Sequence, residues 1–301
     1  MSLSAGASPD GGQEDLGDLR EEVEFFGRGP ERVFGCRHLP EADPEVGVVI
    51  CSSLYEDFVR NYRKEVLLAR ALCARGYSIQ RFHFRGTGHS DGDAATMTFT
   101  TMTEDAISAA RRLHDACGVT TIVFIGSRFG GLIASAASRA QASPLVLCEP
   151  AVSGEAFFRE AFRARALRET RMNHGDPAPT RSPREELDLT GVVDILGYGL
   201  YQPFFDSAVD QSLAMEVGDV PRPLLLVQMS SGDRLRREYG DQVAAWNTMG
   251  FEVEPVVVRL EEAWWFTGAE WHPEEHRVST AQLIASVTDW IDRQFKKAAI
   301  S

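Results

Sequence analysis

Thr121-Ile-Val-Phe-Ile-Gly-Ser-Arg-Phe-Gly-Gly-Leu-Ile133 decides the fold. An unbroken apolar, β-branched run, a glycine-rich break and a second apolar stretch predict a buried strand, a sharp turn and the first turn of a helix. That is the frame of a nucleophile elbow, G-x-S-x-G, with Gly126 and Gly130 as the flanking glycines. The position of the attacking side chain holds Arg128. A guanidinium keeps its proton at any working pH and cannot attack a carbonyl, so covalent chemistry through a serine at this point is excluded.

Outward from the elbow, apolar strands alternate with helices. Val46–Cys51, Ser78–Phe84, Thr121–Ile125 and Pro144–Cys148 read as strands, and Tyr62–Arg75, Met102–Cys117 and Gly130–Ala142 as helices, two of them closed by Gly76 and Gly118. Continuous apolar strands separated by helices predict an α/β fold with a mostly parallel sheet covered on both faces. Val23–Phe26 and Arg32–Arg37, joined through Gly27–Pro30, predict an N-terminal antiparallel hairpin, and residues 1–18, rich in Gly, Ser, Asp and Glu, are expected to be disordered. The alternation breaks after Ala151, with a helix over Phe157–Thr170, a Pro-, Asn- and Gly-rich gap over Asn173–Pro183 and further helix through Gln211. It resumes with strands Pro223–Gln228 and Val253–Leu260 and helices Asp233–Met249 and Thr280–Lys296. The expected organisation is therefore a core of residues 19–150 and 220–301, with residues 151–219 as a helical lid over the carboxyl ends of the strands.

With 301 residues, 44% of them hydrophobic, the chain can bury one large core. A formal charge of −13 disfavours a phosphate-backbone partner, so no nucleic acid is expected. The chain lacks a run of about 18 apolar residues for a membrane span, and its acidic start lacks the pattern of a signal sequence, so a cytoplasmic location is expected. Cys36, Cys51, Cys73, Cys117 and Cys148 are scattered singly, which favours neither a disulfide framework nor a zinc site. No ligand spacing predicts a metal, and Arg85-Gly-Thr-Gly88 lacks the context of a dinucleotide site, so no cofactor is expected.

A cation at a helix N-terminus opposes the helix dipole and needs a negative partner. For Arg128 that partner is either a substrate carboxylate or phosphate, or a protein carboxylate such as Asp57 or Glu56. Asp57 and Arg63, after the first parallel strand, are candidates to orient Arg128, to move a proton or to hold an anion, or else form a surface ion pair. Cys51, Ser52 and Ser53 at the same strand end are candidates for a displaced nucleophile, Cys51 on the argument that a nearby guanidinium lowers a thiol pKa. Ser127 is a weaker one. Asp233, after strand Pro223–Gln228, fits the slot of a triad acid. His272, with His276 close behind, is the preferred histidine. Trp264, Trp265, Phe266 and Trp271, with Phe157, Phe158, Tyr198, Tyr201, Phe204 and Phe205, either line an apolar pocket or pack the lid on the core.

Arg81-Phe-His-Phe-Arg-Gly-Thr-Gly-His-Ser-Asp-Gly92 resembles the D-x-R-G-x-G-x-S segment of the α/β-hydrolase superfamily, and the resemblance extends from about Glu21 to the C-terminus. More narrowly, Cys51-Ser-Ser-Leu-Tyr-Glu-Asp-Phe-Val-Arg-Asn-Tyr-Arg63, Gly126-Ser-Arg-Phe-Gly130 and Glu149-Pro-Ala-Val-Ser-Gly154 resemble a bacterial branch of exosortase-A-associated hydrolase-like proteins and biosynthetic relatives. In that branch the elbow commonly reads G-x-R-x-G. Ser53 stands where those relatives tend to have proline, and Asp57 where they have glutamate. The resemblance implies a bacterial biosynthetic setting and a hydrolase-like enzyme acting, without a serine, on an acyl or carboxylate-bearing small molecule, free or carrier- or CoA-linked. Arg128 and Arg63 would bind the anion or carbonyl and Asp57 or His272 would transfer the proton. The alternatives are a non-catalytic binding or carrier-interacting protein, and a hydrolase or acyltransferase using Cys51 or a nearby serine. A homodimer is compatible with either class.

Overall fold

The computed structural model describes residues 20–27, 29, 31–41, 43–172, 181–259 and 273–296. Eight strands form one sheet in the order β1-β2-β4-β3-β5-β6-β9-β10. Its first edge is the expected hairpin, β1 (Arg20–Phe26) and β2 (Val33–Leu39), and β2 also runs antiparallel to β4 (Ser78–Phe82). From there β3 (Val46–Cys51), β5 (Thr121–Ser127), β6 (Leu145–Cys148), β9 (Pro223–Ser230) and β10 (Glu252–Arg259) are parallel. The central strands are apolar because both faces are covered: all six residues of β3 and all four of β6 are buried.

Helices α1 (Tyr55–Ala74) and α9 (Pro273–Phe295) lie on one face. Helices α2 (Phe99–Cys117), α3 (Gly130–Gln141) and α8 (Arg237–Thr248) lie on the other. Helix α1 begins seven residues before the periodicity predicts. Its buried stripe opens with Asn61 and Glu65 before it becomes Leu68, Ala69, Leu72 and Cys73, so a scan of apolar spacing alone misses the first turns.

Between β6 and β9 run α4 (Gly154–Met172), α5 (Pro183–Thr190), a separate two-stranded hairpin of β7 (Val192–Ile195) and β8 (Tyr198–Tyr201), α6 (Gln202–Ala208) and α7 (Leu213–Val217). The hairpin corrects the expectation of continuous helix through Gln211. Leu196 and Gly197 turn with φ of 55° and 97°, and two positive values in succession suit the twist of a two-residue hairpin loop. Among the described residues no helix is long and apolar enough to cross a membrane, and no group of three or more His, Cys, Asp or Glu could hold a metal ion.

Candidate functional site

The turn between β5 and α3 is as tight as its glycines require. A Cβ on Gly126 would strike the backbone of Gly130 and Gly131, and one on Gly130 would strike the carbonyl oxygens of Cys51 and Ser52. Those contacts press the start of α3 against the ends of β3 and β5. Between the glycines Arg128 adopts φ 51°, the left-handed region that costs a non-glycine residue about 1 kcal/mol or more. Its backbone is anchored on both sides: Arg128 N–H donates to Cys148 O at 3.2 Å, and Arg128 O accepts from Gly131 N–H and Ala151 N–H, both at 3.0 Å.

The Arg128 side chain is only 5% exposed, yet it is not stranded. Nε donates to Asp57 Oδ2 at 3.0 Å, and Nη2 contacts Glu160 Oε2. Asp57 lies in the first turn of α1 and Glu160 on α4, so one guanidinium ties the elbow to both neighbouring elements. Burial works against the cation, but the fields of the two carboxylates outweigh it and hold Arg128 above its ordinary pKa. Burial also pushes the Asp57 carboxyl above its usual range, against the pull of Arg128. Of its negative partners among the described residues, Asp57 is enclosed at 14% exposure, whereas the Glu160 side chain is 54% exposed.

A second charged set adjoins the first. Glu149, fully buried with φ 47°, accepts from Met229 N–H at 2.7 Å and pairs with Arg236. Desolvation raises its pKa, opposed by Arg236 and, more weakly, by Arg128. Tyr239 donates its hydroxyl to Pro150 O at 2.5 Å. Aromatic rings close the other side: Phe129 lies 5.0 Å from Phe157, Tyr55 6.2 Å from Phe157 and 5.9 Å from Tyr198. The hydroxyls of Tyr55 and Ser53 are enclosed and have no hydrogen-bond partner among the described residues.

A family model of the S33 serine aminopeptidases matches residues 43–188, a little under half of the chain. Solved structures match along nearly all of it. Est1E from Butyrivibrio proteoclasticus, with ferulic acid bound, is 14% identical, with 91% of this chain and 99% of that one covered and a TM-score of 0.61. Alpha/beta hydrolase domain-containing protein 10 from mouse is 17% identical over 91% and 99%, with a TM-score of 0.58. An esterase from Pyrococcus furiosus is 16% identical over 97% and 96%, with a TM-score of 0.58. No curated protein matches in sequence. The chain is an α/β-hydrolase-fold protein.

In this α/β-hydrolase-fold protein the remaining candidates are spread unevenly. Arg63 is exposed on α1, six residues beyond Asp57 and so about 120° further round the helix, and the structure does not bring it to Arg128. Cys51 is fully buried. Burial, then Glu65, push its thiol far up, the reverse of the thiolate expected from a nearby guanidinium. Ser127 is buried as the last residue of β5, paired in register with Cys148. Ser52 is engaged with Glu65 at 2.5 Å. Asp233 is exposed in the bend after β9, whereas the buried carboxylate at that strand end is Glu149. Trp264, Trp265, Phe266, Trp271, His272 and His276 carry no described side-chain placement. Tyr198 joins the site through its ring. Sequence reading missed Glu160 because it sits within an arginine-rich helical run, and missed Arg236 and Tyr239 because nothing in their spacing signals a site.

Proposed function

We propose that the protein is a hydrolase-like enzyme that acts on an acyl or carboxylate-bearing small molecule without a serine nucleophile, residues 151–219 serving as its lid. The observation that carries this reading is the placement of Arg128, a buried cation at the nucleophile position with one enclosed and one half-exposed carboxylate partner. Glu160 would hold the place of the substrate anion, leaving as the substrate carboxylate or carbonyl oxygen takes over Nη2. Asp57 would keep Nε aligned and, with its raised pKa, accept a proton from attacking water. His272, as its imidazolium, would give its own proton to the leaving group, and Asp57 and His272 would then be reset by proton exchange with solvent. The ferulic acid in Est1E shows that a related fold accommodates an aromatic carboxylic acid, and the rings of Tyr55, Phe157 and Tyr198 supply an aromatic wall beside the elbow here.

The test is turnover of a panel of acyl esters, acyl thioesters and methyl ferulate after treatment with a fluorophosphonate. Activity should survive treatment and fall about 100-fold or more in Arg128→Met and Asp57→Asn, the loss expected when one preorganised charge is removed. Unchanged turnover in a folded Arg128→Met, or covalent labelling that abolishes it, would refute the mechanism. A second reading, ligand binding without turnover, draws on the same double pairing of Arg128, which already fills its charge requirement. Absence of turnover throughout the panel, with tighter anion binding in Glu160→Ala, would favour it.

A further inference from the structure

The connection between β3 and α1 carries two hydroxyls that burial has left without partners. Ser53 is 2% exposed and its Oγ makes no hydrogen bond among the described residues; the enclosed hydroxyl of Tyr55 makes none either. Folding ordinarily gives a buried hydroxyl a partner, because burial removes the hydrogen bonds of water and an empty donor recovers nothing in return. The backbone is unusual at the same place. Tyr55 adopts φ 55° as the first residue of α1, in the left-handed region that costs any residue with a Cβ. Backbone outliers of this kind cluster where a ligand is held.

Both residues border the elbow. Asp57, the acceptor 3.0 Å from Arg128 Nε, follows Tyr55 within the first turn of α1. A Cβ on Gly130 would lie 2.4 Å from Ser52 O, so the residue before Ser53 rests on the first residue of α3. The Tyr55 ring lies 6.2 Å from that of Phe157, inclined by 19°, and 5.9 Å from that of Tyr198, and Phe157 lies 5.0 Å from Phe129, the neighbour of Arg128. Phe157 and Tyr198 both belong to the inserted segment, Phe157 one turn before Glu160 on α4. The rings that cover Tyr55 are therefore carried by the same segment that Glu160 fastens to Arg128, and withdrawal of α4 uncovers the phenol as it frees the guanidinium. Burial holds that phenol far above its ordinary pKa, so at neutral pH it remains a donor. We infer that Tyr55 is a ligand-binding residue, donating its hydroxyl to an oxygen of the acyl or carboxylate ligand that displaces Glu160 from Arg128, with Ser53 as a second donor from the same connection. The role given to Tyr55 rests on the proposed reading of Arg128 as the anion's holder and adds to it a requirement for an oxygen acceptor, since a ligand that offers only apolar atoms there leaves the hydroxyls empty.

The experiment compares Tyr55→Phe and Ser53→Ala with the wild-type protein in two measurements. In urea unfolding without ligand, both variants should have a midpoint equal to or above that of the wild type, because each loses a hydroxyl that bonds to nothing. In calorimetric titration with sodium phenylacetate and with sodium octanoate, the dissociation constant should rise about 10-fold in Tyr55→Phe, the effect of one lost hydrogen bond to a charged ligand, and should rise also in Ser53→Ala. A lowered midpoint in Tyr55→Phe would show that the hydroxyl already has a structural partner, and an unchanged dissociation constant that it does not meet the ligand; either result overturns the assignment. So does the absence of saturable binding of both carboxylates to the wild type. Arg128→Met separates the two readings: binding lost there but unchanged in Tyr55→Phe removes Tyr55 and leaves Arg128 as the anion's holder, whereas binding unchanged in Arg128→Met but weakened in Tyr55→Phe removes the reading of Arg128 itself.

Discussion

Replacing Asp57 with alanine removes the acceptor 3.0 Å from Arg128 Nε and leaves a guanidinium of 5% exposure at the start of a 12-residue helix whose dipole repels it. Glu160 still reaches Nη2, but with its side chain 54% exposed that contact is screened and contributes about 0–1 kcal/mol. Removing one partner of a buried ion pair costs about 3–5 kcal/mol. Because Glu160 can move inward and burial already disfavours the ionised Asp57, the lower end, about 3 kcal/mol, is expected.

The assay is urea denaturation at pH 7, where the midpoint should fall without a change in slope. Arg128→Met strands the carboxylate instead. Asp57 can then take up a proton, and since its folded pKa lies further above the unfolded value, the folded state binds more protons and stability falls as pH rises. The loss in Arg128→Met should therefore be smaller at pH 5 than at pH 8. The double variant leaves neither charge opposed by burial, so its cost should fall short of the sum of the single costs by on the order of 2 kcal/mol. A loss below about 1 kcal/mol for Asp57→Ala, or simple additivity in the double variant, would show that the pair does not hold the elbow's cation, and the electrostatic account of the site would fail.

Two further outcomes test the surroundings. Glu65 is buried, its Oε1 lacks a partner, and burial raises its pKa above the unfolded 4.5, so its contribution to stability is greatest below that value and is lost as pH rises through the folded pKa. Glu65→Gln should therefore stabilise the protein at neutral pH by on the order of 1 kcal/mol and flatten the stability–pH curve above 4.5, as read by thermal unfolding at several pH values. Gly130→Ala puts a methyl group against the carbonyls of Cys51 and Ser52, backbone atoms that cannot swing aside, and should cost about 3 kcal/mol or more in denaturant unfolding. A near-neutral result would mean that α3 is not pressed against β3.

Most of the fold was legible because its signals are local. The buried strands read as apolar runs, Gly118 stopped α2 in the left-handed conformation, and Gly126 and Gly130 announced the elbow. What escaped was set by contacts distant in sequence. The polar start of α1 is buried because Asn61 bonds Asp57 O and Glu65 meets Ser52, which no apolar periodicity reports. The need of Arg128 for a carboxylate followed from the helix dipole, and Asp57 was a candidate on its place in the chain. Glu160, 32 residues beyond Arg128, emerges only when α4 is laid against the elbow. The expectation of a reactive Cys51 rested on nearness to a cation, whereas the environment of that thiol is governed by complete burial and by Glu65.

The elbow also shows why its central side chain is free to vary. Its shape is fixed by backbone hydrogen bonds to Cys148, Gly131 and Ala151 and by the close approach of two glycines, none of which involves the side chain at position 128. A serine there would leave Asp57 and Glu149 as buried carboxylates with one cation fewer between them. With arginine, carboxylates from α1, α4 and the end of β6 converge on one positive group, and the charge that forbids nucleophilic attack becomes the link between the core and the inserted segment. On the proposed reading the consequence is mechanical as well as chemical. An anion that takes the place of Glu160 on Arg128 would release one attachment of α4, so ligand entry and movement of the inserted segment would be coupled through a single guanidinium.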